Sequence, residues 1–169
     1  MRKQSIASIS AAIALALAAG SAQAATKTDT FQVSAAVAAN CFINATDMAV
    51  GSYDGTAVVD STSTVSVRCS KNAPFQISLN AGTTAGASYA QRLMAGPGGE
   101  TLQYNLYTPA GFGTVWGDNT GGTGWVSASG TGLGNWLDYT VNGRIPNSVA
   151  NQAAGIGDYT DVITATVNY

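Results

Sequence analysis

The stretch DYTDVITATVNY, residues 158–169, decides the fold of this chain. Polar and apolar side chains alternate along it, and a period of two is typical of a half-buried β-strand. The pattern predicts a strand over residues 159–169. No later alternating segment follows it in the sequence, so we expect this strand to leave one edge of its sheet uncovered.

A second alternating run lies near the other end of the sequence, where Phe31, Val33, Ala35 and Val37 occupy every second position. The run precedes Cys41, where we place the start of the domain. Two interpretations stay open from the pattern alone. The run either folds back onto its own sheet or fills a groove in another copy of the chain, because both need the same alternation.

Residues 1–24 have the features of an export signal. Arg2 and Lys3 precede an apolar stretch over residues 6–19, and Ala22-Gln23-Ala24 forms a small-x-small cleavage site. The apolar stretch has about fourteen residues, fewer than the roughly twenty that span a bilayer, which disfavours a membrane anchor. Cleavage after Ala24 leaves residues 25–169, a length that suits one domain. We expect no membrane insertion after cleavage.

The charge of the chain argues against nucleic acid as a partner. The formal net charge is −2 for the whole chain and becomes −4 once Arg2 and Lys3 are removed with the signal. The few remaining basic residues are scattered, so no basic patch is expected to follow a phosphate backbone. A surface with so little charge meets other surfaces with little electrostatic repulsion.

Two cysteines, Cys41 and Cys69, follow the signal. An even number of cysteines in an exported protein favours a disulfide, and the alternative is a pair of buried free thiols. A metal site would need further ligands, and the chain contains no histidine.

Short runs of high β-propensity, separated by Gly, Pro, Asn and Asp, follow one another along the chain. They predict strands at residues 31–39, 41–43, 48–53, 63–69, 74–80, 102–107, 138–145 and 159–169. No helical pattern of useful length appears after the signal. Strands of this length and spacing predict an all-β fold, an antiparallel β-sandwich.

The sequence offers little for catalysis, and we expect no enzyme, no cofactor and no metal. Without histidine it lacks the usual general base near neutral pH, and its aspartates form no obvious acid pair. Residues 118–122 carry oxygen ligands that suit calcium, but their spacing favours a flexible turn. Trp116 and Trp125 flank a Gly-rich loop and are candidate surface-contact residues.

A set of short motifs in a fixed order runs through the region after the signal. They are FQVSA (31–35), VGSY (50–53), VSVRCS (65–70), PFQISL (74–79), RLM (92–94), LQYNLY (102–107), WG (116–117), VNGRIP (141–146) and GDYTD (157–161), followed by the closing strand. Together they resemble the spore coat protein U family, which includes the subunits of archaic (Csu-type) chaperone–usher pili.

This resemblance implies an immunoglobulin-like antiparallel β-sandwich that lacks its final strand. By donor-strand complementation, an N-terminal extension (residues 25–39) of one subunit completes the domain (residues 40–169) of the next. The implied donor residues are Phe31, Val33, Ala35 and Val37. The implied acceptor groove edge is the more apolar alternate set of the closing strand, which consists of Ile163, Ala165, Val167 and Tyr169.

The same resemblance implies a structural subunit of a surface fibre that supports adhesion and biofilm formation. The implied partners are other copies of the chain or related pilins, a periplasmic chaperone and an outer-membrane usher. The implied route is export through the periplasm to the cell surface. Two alternatives remain, a secreted spore or cell coat protein without a true pilus and a carbohydrate-binding sandwich that uses Trp116 and Trp125.

Overall fold

The computed structural model describes residues 24–169, which belong to two units divided after Ala35. The predicted export signal lies outside the described residues except for Ala24. In the first unit, residues 24–35 form no helix or strand and their side chains are exposed. The predicted strand over residues 31–39 is therefore wrong for this chain alone, because an alternating run becomes a strand only when a partner strand satisfies its backbone.

The second unit, residues 36–169, contains eight strands and two short helical turns. The strands are β1 (Cys41–Ala45), β2 (Val59–Cys69), β3 (Pro74–Leu79), β4 (Arg92–Ala95), β5 (Thr101–Tyr107), β6 (Val126–Ser129), β7 (Leu137–Ile145) and β8 (Ala165–Asn168). The helical turns are a 3-10 turn at Pro97–Gly99 and α1 at Val149–Gln152.

The strands form two antiparallel sheets. One sheet has five strands in the order β1-β2-β7-β5-β4, and the other has three in the order β6-β3-β8. In the first sheet Cys41 lies opposite Cys69, and in the second Ile77 lies opposite Val167. The predicted all-β, two-sheet antiparallel sandwich is confirmed.

The core lies on the inward faces of these strands. Strands β2 and β3 show why, since every second residue near their ends is buried. The buried apolar residues are Val65, Val67, Cys69, Ala73, Phe75, Ile77, Leu79, Leu102, Tyr104, Leu106, Trp116, Val141 and Ile145. Each large side chain buried in this way stabilises the fold by about 1.5–3 kcal/mol relative to its exposed state.

The predicted strands agree with five of the observed ones, β1, β2, β3, β5 and β7, within a few residues. Residues 48–53 form no strand, since Gly51 adopts φ +81° and turns the chain out of the extended region. The closing strand is shorter than predicted. It pairs only over Ala165–Asn168, while Thr160 forms an isolated bridge to Ala95 of β4.

The predicted disulfide is confirmed. Cys41 and Cys69 are bonded to each other, and the residues between them close a loop with a sequence separation of 28. The bond joins the first residue of β1 to the last residue of β2.

Candidate functional site

A groove opens the core of the second unit along one side. Its volume is about 1160 Å³, and core side chains of both sheets line it. The five-stranded sheet contributes Val65, Leu102, Tyr104, Leu106, Val141 and Ile145, and the three-stranded sheet contributes Leu79 and Ala165. Apolar side chains that normally meet inside a sandwich therefore border an open space.

Two irregular segments, residues 45–55 and residues 154–161, form the remaining wall of the groove. Met48 of the first segment lies over Gly143 of β7, where a Cβ atom would overlap the Met48 sulfur. In the second segment the Tyr159 hydroxyl donates to Glu100 Oε2 at 2.8 Å. That hydrogen bond is the main reason that the pKa of Glu100 lies below its ordinary value. Side-chain contacts of this kind, rather than a long strand ladder, hold these segments.

The edge of β8 borders the groove. Within the described residues β8 pairs only with β3. Asn80 N–H donates to Thr164 O at 3.0 Å, and this fixes the alternation of hydrogen bonds along the strand. By that alternation Thr166 directs its backbone groups to β3, and Ala165 and Val167 direct theirs away from it. The outward side of β8 can therefore accept another strand.

The structure brings three of the four predicted edge residues to the core side of this segment. Ile163, Ala165 and Val167 are partly buried against the core. Tyr169 is 60% exposed. The predicted inward set therefore packs inward except for its last member, while Val162, which belongs to the other set, is 63% exposed.

Asp161 anchors the segment that leads into β8. Its Oδ2 accepts from the Tyr104 hydroxyl at 2.7 Å, and its Oδ1 accepts from the backbone N–H of Thr83 at 2.9 Å and of Thr84 at 3.2 Å. Burial of the carboxyl acts to raise its pKa, but these hydrogen bonds outweigh burial and hold the pKa of Asp161 below its ordinary value. Sequence reasoning missed this network because Thr83 and Asp161 are far apart in the chain.

Arg92 is a second feature that sequence reasoning missed. It is fully buried, and its guanidinium donates to Asn80 O, Asn105 Oδ1 and Trp116 O at 2.6–3.0 Å. Burial lowers the pKa of Arg92. These hydrogen bonds join the residue after β3, strand β5 and the loop after β5. No pattern in the sequence signals a buried arginine.

Trp116 and Trp125 have different environments. Trp116 is fully buried, and its indole N–H donates to Ile77 O at 2.9 Å. The prediction that it is a surface-contact residue is wrong, because the Gly-rich loop folds its ring into the core. Trp125 is 36% exposed and remains a candidate for surface contact.

The predicted donor residues are accessible. Phe31, Val33 and Val37 are 87%, 83% and 92% exposed, and Ala35 is exposed as well. Large apolar side chains at such exposure are uncommon in a folded chain unless they mark a contact surface.

In residues 24–169 no group of three or more potential metal ligands comes together. The helices of that part of the chain are also too short and too polar to span a bilayer.

Comparison with known proteins gives the family. The family model of the spore coat protein U domain matches residues 27–166. The chain belongs to the spore coat protein U domain family. No curated protein matches the chain.

A solved structure resembles this spore coat protein U domain. It is the CsuC–CsuE chaperone–tip adhesion subunit pre-assembly complex from archaic chaperone–usher Csu pili of Acinetobacter baumannii, with a TM-score of 0.56 and 23% identity. The match covers 79% of this chain and 40% of the matched chain. The likeness shows a pilin-subunit fold, and this chain spans less than half the length of the protein that it matches.

Proposed function

We propose that this chain is the structural subunit of a surface fibre of the archaic chaperone–usher type. The N-terminal extension of one copy completes the sandwich of the next by donor-strand complementation. The observation that carries the proposal is the groove beside β8, where core side chains and an unpaired strand edge border the same open space. Membership of the spore coat protein U family and the pilin-subunit fold support it.

The chemistry of the groove fits an added β-strand. Main-chain hydrogen bonds would form along the outward side of β8, and alternate apolar side chains would enter the groove. Phe31, Val33 and Val37 supply such side chains, each worth about 1.5–3 kcal/mol when buried. Ala35 buries less area, so it suits a shallow position in the groove.

Before assembly, a subunit of this kind needs protection. Its groove opens between core residues and leaves a strand edge of β8 unpaired among the described residues, and an unpaired strand edge promotes aggregation. A periplasmic chaperone that covers the groove, followed by an outer-membrane usher that releases the subunit into the fibre, meets this need. The subunit then leaves through the periplasm for the cell surface, where the fibre supports adhesion and biofilm formation.

Both comparisons are with structural proteins rather than enzymes.

Substitutions on the two faces of the extension test the proposal. Val33→Asp places a charge in the apolar groove, whereas Ser34→Asp places the same charge on the opposite face of the donor strand. We expect fibres of Val33→Asp to be lost and fibres of Ser34→Asp to form as in the unchanged chain. The measurement is the ladder of SDS-resistant polymers from the exported chain before heating.

Deletion of residues 25–38 gives the limiting case. The ladder should disappear, and a synthetic peptide of residues 25–38 should raise the melting temperature of the truncated chain. Equal loss of polymers in the Val33 and Ser34 variants, or a truncated chain that still polymerises, would contradict donor-strand complementation.

The family name keeps a coat protein as the second candidate. A coat protein without a true pilus would assemble without an usher. Removal of the usher therefore separates the two functions, since a pilus subunit would stop reaching the surface and a coat protein would not. The carbohydrate-binding alternative relied on Trp116 and Trp125. Trp116 is fully buried, so only Trp125 is accessible to a sugar.

A further inference from the structure

Most charged side chains of the second unit are divided by sign between the two ends of its sandwich, and Asp138, beside Arg68, is the exposed exception. We call the end with the Cys41–Cys69 disulfide and the turn over residues 70–73 the cationic end, since Arg68 and Lys71 lie there. We call the opposite end, which contains residues 46–58 and 146–163, the acidic end. Strand registers define these positions, because Cys41 pairs with Cys69 at one end and Val59 pairs with Ile145 at the other.

The cationic end carries basic side chains with no acidic partner. Among the described residues neither Arg68 nor Lys71 forms an ion pair. The Arg68 guanidinium lies 4.7 Å from the ring of Phe42 and 4.6 Å from the ring of Trp136, and both rings are 44% exposed. The nearby carboxylate of Asp138 forms no ion pair with Arg68. Asp138 lies opposite Ser66 in the β2–β7 pair, and its Oδ1 accepts from the Ser66 hydroxyl at 2.6 Å.

Aromatic rings beside an arginine are typical of the centre of a protein interface. Tryptophan and arginine are enriched among the residues that contribute most to binding energy. The Arg68 guanidinium donates only to the carbonyl of Leu133, at 3.4 Å, so contact with a carboxylate would give it a charged partner while the rings exclude water around it. The chemistry of this end therefore fits an acidic surface.

The other two arginines of the second unit are already used within the fold. Arg92 is buried among oxygen acceptors. Arg144 forms an ion pair with Asp60 at 2.7 Å. Neither is available to balance the remaining carboxylates of the acidic end.

The acidic end is continuous with the groove. Asp47, Asp54 and Asp158 line the groove and are exposed. Asp161 lines it as well, half-buried in its hydrogen-bond network. Any strand that enters the groove at this end therefore passes close to negatively charged side chains.

The extension leaves the second unit at the cationic end. Asn40 O accepts from the backbone N–H of Ser70 at 2.9 Å, and Ala38 O accepts from the Ser70 hydroxyl at 3.3 Å. Lys71 is the next residue. The proposed donor segment therefore leaves the domain beside Arg68 and Lys71, which form no ion pair among the described residues.

We propose that the cationic end of one copy, centred on Phe42, Arg68, Lys71 and Trp136, docks on the acidic end of the next copy around the groove. The inference rests on the proposed donor-strand function and adds a second contact to it. A contact between two different ends of identical chains does not close, so it propagates as a filament. Opposite charges accelerate encounter and align the donor with the groove before the strand inserts.

Charge reversal and its rescue test the docking contact. Lys71→Glu and Asp158→Lys change two exposed side chains. Within residues 24–169, neither side chain forms a hydrogen bond. We expect each to slow the appearance of SDS-resistant polymers about tenfold at low salt, a typical size for lost electrostatic steering. The double variant should recover most of the rate, because opposite charges again face each other.

The assay follows the mature chain after dilution from denaturant, at 50 mM and 500 mM NaCl. The differences between variants should shrink at the higher salt, where charges are screened. Ser127→Glu, an exposed change on β6, controls for a negative charge added away from both ends and should assemble at the unchanged rate. Circular dichroism checks that every variant is folded.

The outcomes separate the two proposals. Polymers that form at one rate in all variants and at both salt concentrations would overturn the docking contact and leave donor-strand complementation intact. Single variants that are slow without recovery in the double variant would overturn it too. Failure of the unchanged chain to form any SDS-resistant polymer would instead contradict the proposed function.

Discussion

At the scale of single residues, Asp161 makes the stability of the acceptor site depend on pH. Its folded-state pKa lies below the ordinary value of 3.8 because hydrogen bonds from Tyr104, Thr83 and Thr84 favour the charged form over the opposing effect of burial. A group with a lowered folded-state pKa stabilises the fold above its ordinary pKa, and that contribution is lost as the pH falls through the folded-state value. The unchanged domain should therefore lose stability below about pH 4.

Asp161→Asn tests this dependence. The variant cannot ionise, so we expect it to be less stable than the unchanged chain at pH 7 and the difference to narrow as the pH falls from 4 to 2. Urea unfolding at several pH values measures the free energy of unfolding of both chains. A difference that stays constant over this range would show that the charge of Asp161 contributes nothing to stability.

Residue roles could be predicted only where sequence chemistry alone fixes them. The Cys41–Cys69 pair follows from two cysteines in an exported chain. The burial of Trp116 could not be predicted, because nearby glycines occur both in surface loops and in loops that return to the core. Arg92 could not be placed either, since its burial depends on oxygen acceptors from three separate parts of the chain.

At the scale of elements, alternation predicted strands where large apolar residues occupy one face. It worked for β3, with Phe75, Ile77 and Leu79 buried in turn. It missed β4, whose inward residue is a charged arginine, and β6, whose residues after Val126 are small. It failed for residues 48–53 because the positive φ of Gly51 is set by the fold around it.

The outward edge of β8 leads to a proline test. Val167→Pro removes a backbone N–H that points away from β3, while Thr166→Pro removes one that bonds to β3. We expect Val167→Pro to abolish polymers and to leave the domain folded. Thr166→Pro should destabilise the domain itself, by about 1 kcal/mol more than Val167→Pro, since it costs one further hydrogen bond.

The two proline variants control for each other, because both impose the same φ restraint on neighbouring positions of one strand. Thermal unfolding measures stability, and SDS-resistant polymers measure assembly. Normal polymers from a folded Val167→Pro chain would show that no strand adds to this edge of β8.

At the scale of the whole molecule, the sequence predicted the two-sheet sandwich and a strand edge left uncovered. It could not predict the groove itself. The size of the groove depends on where residues 45–55 and 154–161 settle, and these segments are held by contacts such as Tyr159 with Glu100 and Met48 over Gly143. Contacts between distant irregular segments leave no periodic signal in a sequence.

The disulfide ties the proposed donor to the body of the domain. The extension continues directly into Cys41, and the bond to Cys69 passes any pull on the extension to β2, which pairs with both β1 and β7. Closing a loop with a sequence separation of 28 should stabilise the domain by about 3–4 kcal/mol through the unfolded state. We therefore expect a Cys41→Ser, Cys69→Ser double variant to lose about this much free energy of unfolding.

Urea unfolding of the double variant, beside the unchanged chain with and without reductant, measures this loss. The reduced chain should match the double variant, because both lack the same bond. A loss below about 1 kcal/mol would mean that the unfolded chain gains little freedom without the bond. The pairing of β1 with β2 would then suffice to hold the point where the extension leaves the domain. Fibres of the double variant should break more readily under load than fibres of the unchanged chain, since only the β1–β2 hydrogen bonds would then carry the tension from the extension to β2.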